Sequence, residues 1–242
     1  RAVSGRRVLL CFGSFIMMPR VPELMCDVDH RDPPAYVSRG GIKLENALAA
    51  SGLHVSDRRA LDVGASTGGF TDCLLRHGAR SVVAVDVGYG QLDWGLRNDP
   101  RVSVMERTNA RSLTVAMLPY TPDLASVDVS FISLAKVLPA VLGCMPGTYD
   151  VMALIKPQFE VGRVLASKGR GVVRDPDDRR AALVSVGQAA HGLGAAVLSY
   201  YSSGLAGPKG NKETFIWLAE PGRAGGAGTV EEIEQMAREV EP

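Results

Sequence analysis

Seven short apolar runs recur along the chain, and their pattern predicts a β-sheet. Each run is rich in β-branched residues and nearly continuous in apolar character. Such runs are typical of strands that are buried on both faces of a mostly parallel sheet. The predicted strands span residues 59–63, 81–87, 102–106, 124–129, 151–155, 195–201 and 214–219.

Helical patterns fill most of the gaps between these runs. The predicted helices span residues 42–51, 71–77 and 177–191. Alternating strands and helices predict right-handed crossovers and a doubly wound α/β fold with helices on both faces of the sheet. In such folds ligands bind at the carboxyl ends of the strands, so a site is expected in the loops that follow them.

Both ends of the chain depart from this alternation. The paired prolines at 33–34 mark a boundary, because they break helices and weaken strand pairing. Residues 221–228 are glycine-rich and predict a flexible linker. A final helix follows, with a capping box between Thr229 and Glu232. The predicted division is an N-terminal segment 1–35, a main domain 36–220, and a linker with a C-terminal helix 221–242.

The N-terminal segment also has a secretory interpretation. Arg6 and Arg7 precede an apolar stretch at 8–18, as in a signal peptide, but no small-residue cleavage site follows. No apolar run reaches the roughly 18 residues that a membrane span needs. We therefore expect no membrane partner.

Composition indicates a globular protein and limits the metal chemistry. Hydrophobic residues make up 46%, charged residues 22%, and the net charge is +1. A local basic patch can still bind RNA while acidic residues near the C-terminus cancel it in the sum. The cysteines form no Cys-x-x-Cys pair and have no histidine at metal-ligand spacing, which predicts reduced thiols and no metal site. They are Cys11, Cys26, Cys73 and Cys144.

The strongest local signal is a glycine-rich turn between the first strand and the following helix. Glycine permits positive φ and a close approach of ligand to backbone. Phe70 stands where a P-loop requires lysine, and Ser66 replaces the second glycine of a dinucleotide fingerprint. S-adenosylmethionine carries no phosphate and needs neither feature, so it is the favoured ligand. The predicted cofactor contacts in the turn are Asp62, Gly64, Ala65, Ser66, Thr67, Gly68, Gly69 and Phe70.

Further cofactor contacts are predicted after the second and third strands. Asp86 ends the second predicted strand, where a carboxylate can accept hydrogen bonds from two ribose hydroxyls of NAD or of S-adenosylmethionine. Val87 adjoins it, and Asn109 follows the third strand, where its side chain could read an adenine edge. The alternative interpretation is that Asp62 and Asp86 only cap loops.

Long motifs follow one another in order from residue 36 to residue 219. They read YVSRGGIKL, DVGASTGGFT, DVGYGQL, LRNDPRV, ERTNAR, DVSFISL, KPQFE, GVVRDP and GPKGN. Together they resemble the TlyA family of ribosomal RNA methyltransferases, whose members are often also labelled haemolysins. The catalytic domain of that family is similar to the FtsJ-type ribose methyltransferases.

The resemblance implies a Rossmann-like class I methyltransferase with a seven-stranded, mostly parallel sheet whose last strand is antiparallel. It implies S-adenosylmethionine as cofactor and a cytidine ribose 2′-hydroxyl of ribosomal RNA, or of ribosomal subunits, as target. A cytoplasmic location follows, and no obligate protein partner is indicated. Family members usually begin with a small S4 RNA-binding domain, and residues 1–35, too short for a whole one, are interpreted as a candidate remnant. The family's Lys-Asp-Lys-Glu tetrad maps to Lys43, Asp128, Lys156 and Glu213.

These four residues also make chemical sense without the family. A ribose hydroxyl is a weak acid and a poor nucleophile, so methyl transfer requires removal of its proton and alignment of its oxygen. Lys156 directly follows the fifth strand, and partial burial or a neighbouring cation such as Lys43 would make its neutral amine available. We expect Lys156 to act as the base, with Asp128, Lys43 and Glu213 orienting it.

RNA contacts are predicted less sharply. Scattered solubilising charges explain the candidate phosphate-binding residues nearly as well as a binding surface does. Those candidates are Ser38, Arg39, Arg97, Arg101 and Arg174, with Lys168 and Arg170 beside them. Tyr89, Trp94 and Phe131 could stack on bases, but core packing is the prediction for each.

Other activities compete with this interpretation. A base N-methyltransferase would carry Asp/Asn-Pro-Pro-Tyr/Phe after the fourth strand, and residues 128–131 keep its two ends but lack both prolines. A cytosine-C5 enzyme needs a Pro-Cys nucleophile, which the sequence lacks. A membrane-active haemolysin would need a spanning or basic amphipathic segment. An RNA-binding module without catalysis would not need the tetrad.

Overall fold

A computed structural model describes residues 35–162, 169–207 and 209–241 of the chain. The signal-peptide and S4 interpretations of the N-terminal segment lie outside the described residues. So do the predictions made for Cys11, Cys26 and Lys168.

The seven predicted strands form a single sheet. Their order is β3-β2-β1-β4-β5-β7-β6, and β7 runs antiparallel to both of its neighbours. The strands are β1 Arg59–Val63, β2 Ser81–Val85, β3 Val102–Met105, β4 Leu124–Val127, β5 Asp150–Ile155, β6 Ala196–Ser202 and β7 Thr214–Ala219. The predicted seven-stranded, mostly parallel Rossmann-like sheet is confirmed.

Two strands end earlier than the apolar pattern predicts. The β2 strand stops at Val85 rather than at residue 87, because the Asp86 carboxylate accepts the Gly88 backbone N–H at 2.6 Å and turns the chain. Val87 is consequently 74% exposed. The β4 strand stops at Val127 rather than at residue 129, so the site loop begins directly at Asp128.

Seven α-helices lie within the described residues. They are α1 Arg39–Ser51, α2 Gly69–Arg76, α3 Trp94–Arg97, α4 Leu138–Leu142, α5 Pro157–Glu160, α6 Pro176–Gly192 and α7 Val230–Val240. Short 3₁₀ turns occur at Ala110–Ser112, Val115–Met117 and Leu134–Lys136. No helix in these described ranges is both long and apolar enough to cross a membrane.

The first helix begins three residues before its predicted start at residue 42. Glycine is unfavourable inside helices, so the Gly40-Gly41 pair hides the helix start in the sequence. In the structure the pair lets α1 approach its neighbours closely. A Cβ on Gly41 would lie 2.3 Å from the Tyr36 ring, and one on Gly69, at the start of α2, would lie 2.2 Å from Ser38 Oγ. The glycines therefore bring the two helix starts together at the cleft.

The core has a layer on each face of the sheet. Leu183 of α6 and Ile233 of α7 pack on one face, and Leu44 of α1 and Leu74 of α2 pack on the other. The strands are thus buried on both sides, as their continuous apolar character predicts.

The glycine-rich segment before α7 is fixed to the sheet edge, in contrast to the predicted flexible linker. The Ala227 backbone N–H donates to the Val197 carbonyl at 2.9 Å, and Arg223 forms ion pairs with Glu220 and Asp150. The predicted capping box at the start of α7 is present.

Candidate active site

A cleft of about 770 Å³ opens at the carboxyl ends of β1, β4 and β5. Its walls come from the start of α1, the glycine turn, the loops after β4 and β5, and the loop before β7. The lining residues are Ser38, Arg39, Gly40, Lys43, Gly64, Ala65, Ser66, Thr67, Gly69, Phe70, Asp128, Ser130, Phe131, Lys156, Gln158, Phe159, Gly171, Lys209, Asn211 and Glu213.

The glycine turn forms the floor of this cleft in a backbone conformation that its sequence permits. Gly64 has φ 88°, and a Cβ there would lie 2.4 Å from the Asp128 carbonyl oxygen. The loop after β4 therefore rests directly on the turn. Gly68 has φ 97° but faces Leu92 and Leu96 instead of the cleft. It shapes the turn, and the predicted ligand contact at this residue is not supported.

Asp62 lies beneath the floor and does not line the cleft. Its carboxylate is fully buried and accepts hydrogen bonds from the Thr71 hydroxyl at 2.7 Å and the Ser126 hydroxyl at 2.9 Å. Burial raises its pKa to about 6. Asp62 thus links β1 to α2 and β4. It supports the glycine turn from below and has no exposed surface with which to contact a cofactor directly.

The predicted contacts after β2 and β3 also lie outside the main cleft. The Asp86 carboxylate accepts the backbone N–H groups of Ser66 at 2.7 Å and Gly88 at 2.6 Å. Asn109 Oδ1 accepts the Arg111 backbone N–H at 3.0 Å and caps a 3₁₀ turn. Asp86 still touches the glycine turn through Ser66, whereas Asn109 and Val87 have no contact with the cleft.

The four tetrad residues all line the cleft and form two lysine–carboxylate pairs. Lys156 Nζ lies 2.5 Å from Asp128 Oδ1, and Lys43 Nζ lies 2.5 Å from Glu213 Oε2. Asp128 thus contacts Lys156, and Glu213 contacts Lys43. Their roles in a reaction remain a proposal.

Sheet topology explains why residues so distant in sequence meet here. Asp128 and Lys156 directly follow the parallel neighbours β4 and β5, so both emerge at the same edge. Because β7 is antiparallel to β5, its start pairs with the end of β5, with Ile155 opposite Thr214. Glu213, which precedes β7, therefore reaches the edge where Lys156 leaves β5.

Several cleft residues were absent from the sequence prediction. Ser130 Oγ accepts a hydrogen bond from Lys156 Nζ at 2.8 Å. Gln158 contributes a buried side-chain oxygen with no hydrogen-bond partner among the described residues. Buried Asn211 accepts the Val173 N–H at 2.9 Å and donates to the Gly171 carbonyl at 2.8 Å, which holds one rim of the cleft. Only proximity to Asp128 and Lys156 in sequence could have indicated Ser130 and Gln158.

The prediction of core packing is wrong for all three aromatic residues. Phe131 is 92% exposed, Trp94 77% and Tyr89 67%. Phe131 has φ 65°, and this left-handed turn sets its ring beside that of Phe159 with 5.2 Å between centroids. An aromatic pair therefore forms part of the cleft wall.

Two of the five candidate RNA contacts lie in the cleft wall, and the other three do not line it. Ser38 and Arg39 line the cleft. Arg97 is paired with Glu106, and Arg101 with Asp99 at 2.7 Å. Exposed Arg174 and Arg170 lie on the segment between α5 and α6.

One polar cluster departs from the expectation that no histidine accompanies a cysteine at ligand spacing. Cys73 lies on α2, His77 directly follows the end of that helix one turn later, and Glu45 of α1 faces both. Glu45 Oε2 lies 2.6 Å from His77 Nε2 and accepts the Tyr36 hydroxyl. Burial raises the pKa of Cys73 to about 12, which favours the thiol over the thiolate that binds metals. The hydrogen bonds alone account for this cluster as a link between α1 and α2.

Comparison with known proteins agrees with this geometry. Residues 36–220 match the FtsJ-like methyltransferase family. The chain is 54% identical over 184 residues to the Mycobacterium tuberculosis protein named 16S/23S rRNA (cytidine-2'-O)-methyltransferase TlyA, covering 76% of this chain and 68% of that protein.

Solved structures show the same fold. A Lactococcus lactis protein described as a candidate hemolysin is 42% identical with a TM-score of 0.77, covering 84% of this chain and 98% of that one. An S-adenosylmethionine-dependent methyltransferase from Mesorhizobium loti, 16% identical, has a TM-score of 0.52 over 74% of this chain and 98% of its own. The chain belongs to the FtsJ-like methyltransferases and, among them, to the TlyA family.

Proposed function

We propose that the protein transfers a methyl group from S-adenosylmethionine to a ribose 2′-hydroxyl of ribosomal RNA, at cytidine. The observation that supports this most strongly is Lys156, held by Asp128 at 2.5 Å in a cleft beside the Lys43–Glu213 pair. The name of the M. tuberculosis relative gives the same acceptor. A ribosomal substrate implies a cytoplasmic enzyme that needs neither a membrane nor an obligate protein partner.

The residues around the glycine turn fit S-adenosylmethionine. Gly64 and Gly69 line the cleft without side chains, so a ligand can approach the backbone there. The candidate holders are Gly64, Ala65, Ser66, Thr67, Gly69 and Phe70, with Asp86 behind Ser66 and Asp128 at the far wall. S-adenosylmethionine, when bound, supplies an electrophilic methyl group.

Lys156 is the proposed base. Its amine takes the proton of the 2′-hydroxyl as the oxygen becomes methylated, which is general base catalysis worth roughly 10²–10⁴-fold in rate. Asp128 fixes the amine and balances the positive charge that the proton brings. In the Lys43–Glu213 pair the positive and negative charges offset each other. The pair therefore shapes the acceptor side of the cleft without adding a strong electrostatic field.

The acceptor nucleotide is proposed to lie against Phe131 and Phe159. Exposed aromatic rings stack on unpaired bases of any sequence, and the pair borders Ser130 and Lys156 in the cleft. Arg39 and Lys209 lie at the same opening and are suited to backbone phosphate. Arg97, Arg101 and Arg174 remain candidates for more distant phosphate contacts.

Transfer of radiolabelled methyl from S-adenosylmethionine to unmodified ribosomal subunits tests the proposal. We expect label in RNA that resists alkaline cleavage at one nucleotide, and its loss in Lys156→Ala. Lys136→Ala, an exposed lysine outside the cleft, is the matched control and should retain activity. Label on a base, or equal label in Lys156→Ala, would contradict the proposal.

A second candidate function comes from the hemolysin description of the L. lactis protein. Lysis of erythrocytes by the purified protein, undiminished in Lys156→Ala, would support a membrane activity independent of the cleft. Absence of lysis alongside RNA methylation would exclude it.

A further inference from the structure

Ser130 makes a contact that the tetrad does not account for. It lies on the loop after β4, two residues beyond Asp128, and its Oγ is 2.8 Å from Lys156 Nζ. The same nitrogen lies 2.5 Å from Asp128 Oδ1. One hydrogen-bond acceptor, Ser130 Oγ, and one carboxylate in ion-pair contact, that of Asp128, therefore meet the amine proposed as the base from the same loop.

The valences of a lysine amine give this contact a consequence. A neutral amine has two N–H bonds and one lone pair, and only the lone pair can accept a proton. Without a hydrogen bond, the amine can rotate about its Cε–Nζ bond and direct the lone pair to several places. The hydrogen bond to Ser130 fixes one N–H bond, and the Asp128 carboxylate occupies a second side of the nitrogen, so fewer directions remain for the lone pair. We propose that Ser130 is a positioning residue that, together with Asp128, aims the lone pair of Lys156 at the acceptor hydroxyl. This inference rests on the proposed function.

The surrounding structure holds Ser130 and Lys156 as one unit. Lys156 precedes α5, and α5 contacts the Ser130 loop at two further points. The rings of Phe131 and Phe159 lie 5.2 Å apart, and Glu160 Oε1 accepts the Leu134 backbone N–H at 2.9 Å. These contacts fix the distance between hydroxyl and amine before any ligand binds, as preorganised catalytic groups require.

The exposure of Ser130 separates this role from a structural one. Its residue is exposed, and exposed serines contribute little to folding. Removal of the hydroxyl should therefore leave stability and cofactor affinity unchanged while the amine loses its orientation. A fall in kcat without a change in melting temperature is the expected signature.

The experiment compares Ser130→Ala, Ser130→Thr and the control Ser185→Ala, an exposed serine on α6 away from the cleft. Each is assayed for kcat and KM on ribosomal subunits and for S-adenosylmethionine binding by calorimetry. Ser130→Ala should lower kcat about tenfold, a fraction of the whole general-base effect. KM and cofactor affinity should stay within about twofold. Ser130→Thr, which keeps the hydroxyl, should recover most of the rate, and Ser185→Ala should match the wild type.

A spectroscopic readout keeps this inference distinguishable from the proposed function. The protein is labelled with carbon-13 lysine, and the Lys156 Cε resonance in its NMR spectrum is assigned as the signal that disappears in Lys156→Arg. The chemical shift of this resonance should change in Ser130→Ala and stay the same in Ser185→Ala. An active wild type whose rate and Lys156 resonance are unchanged by Ser130→Ala would overturn the role of Ser130 and leave the function standing. A wild type that methylates no ribose would overturn the proposed function and, with it, this role, whatever the resonance shows.

Discussion

The two lysine–carboxylate pairs of the cleft have the same chemistry and the same 2.5 Å separation but different surroundings. In the Lys43–Glu213 pair the side chains are 9% and 1% exposed. In the Lys156–Asp128 pair they are 11% and 23% exposed, and Ser130 accepts a hydrogen bond from the lysine. The first pair resembles a buried structural link, and the second keeps a carboxylate open to the cleft. Contact distance alone does not distinguish the two pairs, whereas the exposure of the carboxylate and the hydrogen bond to Ser130 do.

The largest expected effect is on the rate when the open pair loses its lysine. Lys156→Ala should lower kcat by roughly 10²–10⁴-fold, because the acceptor hydroxyl loses its base. Calorimetry should still detect cofactor binding, since the glycine turn is intact. Lys136→Ala should behave as the wild type in the same methylation assay. Near-normal turnover by Lys156→Ala would contradict the proposal that the Lys156–Asp128 pair is catalytic and the Lys43–Glu213 pair structural.

The next effect is on stability when the buried pair loses its carboxylate. Glu213→Gln leaves the Lys43 ammonium buried without a counter-charge, which should destabilise the fold by about 3–5 kcal/mol. The matched change in the open pair, Asp128→Asn, should cost about 1 kcal/mol or less, because water can reach that site. Urea denaturation of the two variants measures the difference. An equal loss of unfolding free energy in the two variants would contradict the claim that only the Lys43–Glu213 pair is shielded from water.

Asp62 extends the comparison as a buried acid that has hydroxyl partners and, among the residues that the structure describes, no ion pair. Its folded pKa of about 6 lies above its ordinary value of 3.8. The folded state therefore binds the proton more tightly, so the stabilisation is present at low pH and is lost as pH rises from about 4 to about 6. Asp62→Asn should flatten the stability curve across that window by up to about 3 kcal/mol. Urea unfolding at several pH values checks this, and an unchanged slope would contradict the burial argument.

The smallest effect is expected at a buried pair outside the cleft. Arg179 and Glu241 are 7% and 5% exposed, and their side chains join α6 to the end of α7. Glu241→Gln should lower the free energy of unfolding by about 2 kcal/mol by weakening a charged hydrogen bond. The exposed Glu239→Gln on the same helix should change it by less than about 0.5 kcal/mol. Below the melting temperature both variants should keep wild-type kcat, and a selective loss of kcat in Glu241→Gln would show that this pair also serves the cleft.

The fold, and the meeting of Asp128 and Lys156 at one edge of the sheet, were readable from the sequence for a physical reason. Buried parallel strands require continuous apolar runs, and residues that directly follow such strands, such as Asp128 and Lys156, must emerge at one edge. The antiparallel placement of β7, which brings Glu213 to Lys43, was not contained in that pattern. It was expected only from the family resemblance.

Three other features could not be predicted from the hydrophobic pattern, because they depend on contacts between side chains or on backbone conformation. The predicted first helix started after Gly40 and Gly41, yet both lie inside α1, where Tyr36 packs in the place that a side chain on Gly41 would occupy. Phe131 suggested core packing, but its positive φ turns the ring into the cleft. Asp62 suggested a ligand contact, but two hydroxyl partners keep it below the floor. In each case the local backbone or a packing partner, and not the residue type, decides the outcome.

The central claim is tested most directly by identifying the atom that receives the methyl group. Ribosomal RNA incubated with the protein and S-adenosylmethionine would be digested to nucleosides and analysed by mass spectrometry. The account predicts 2′-O-methylcytidine with the wild type and with Lys136→Ala, and none with Lys156→Ala. A methyl group on a cytosine ring, or 2′-O-methylcytidine formed equally by Lys156→Ala, would contradict it.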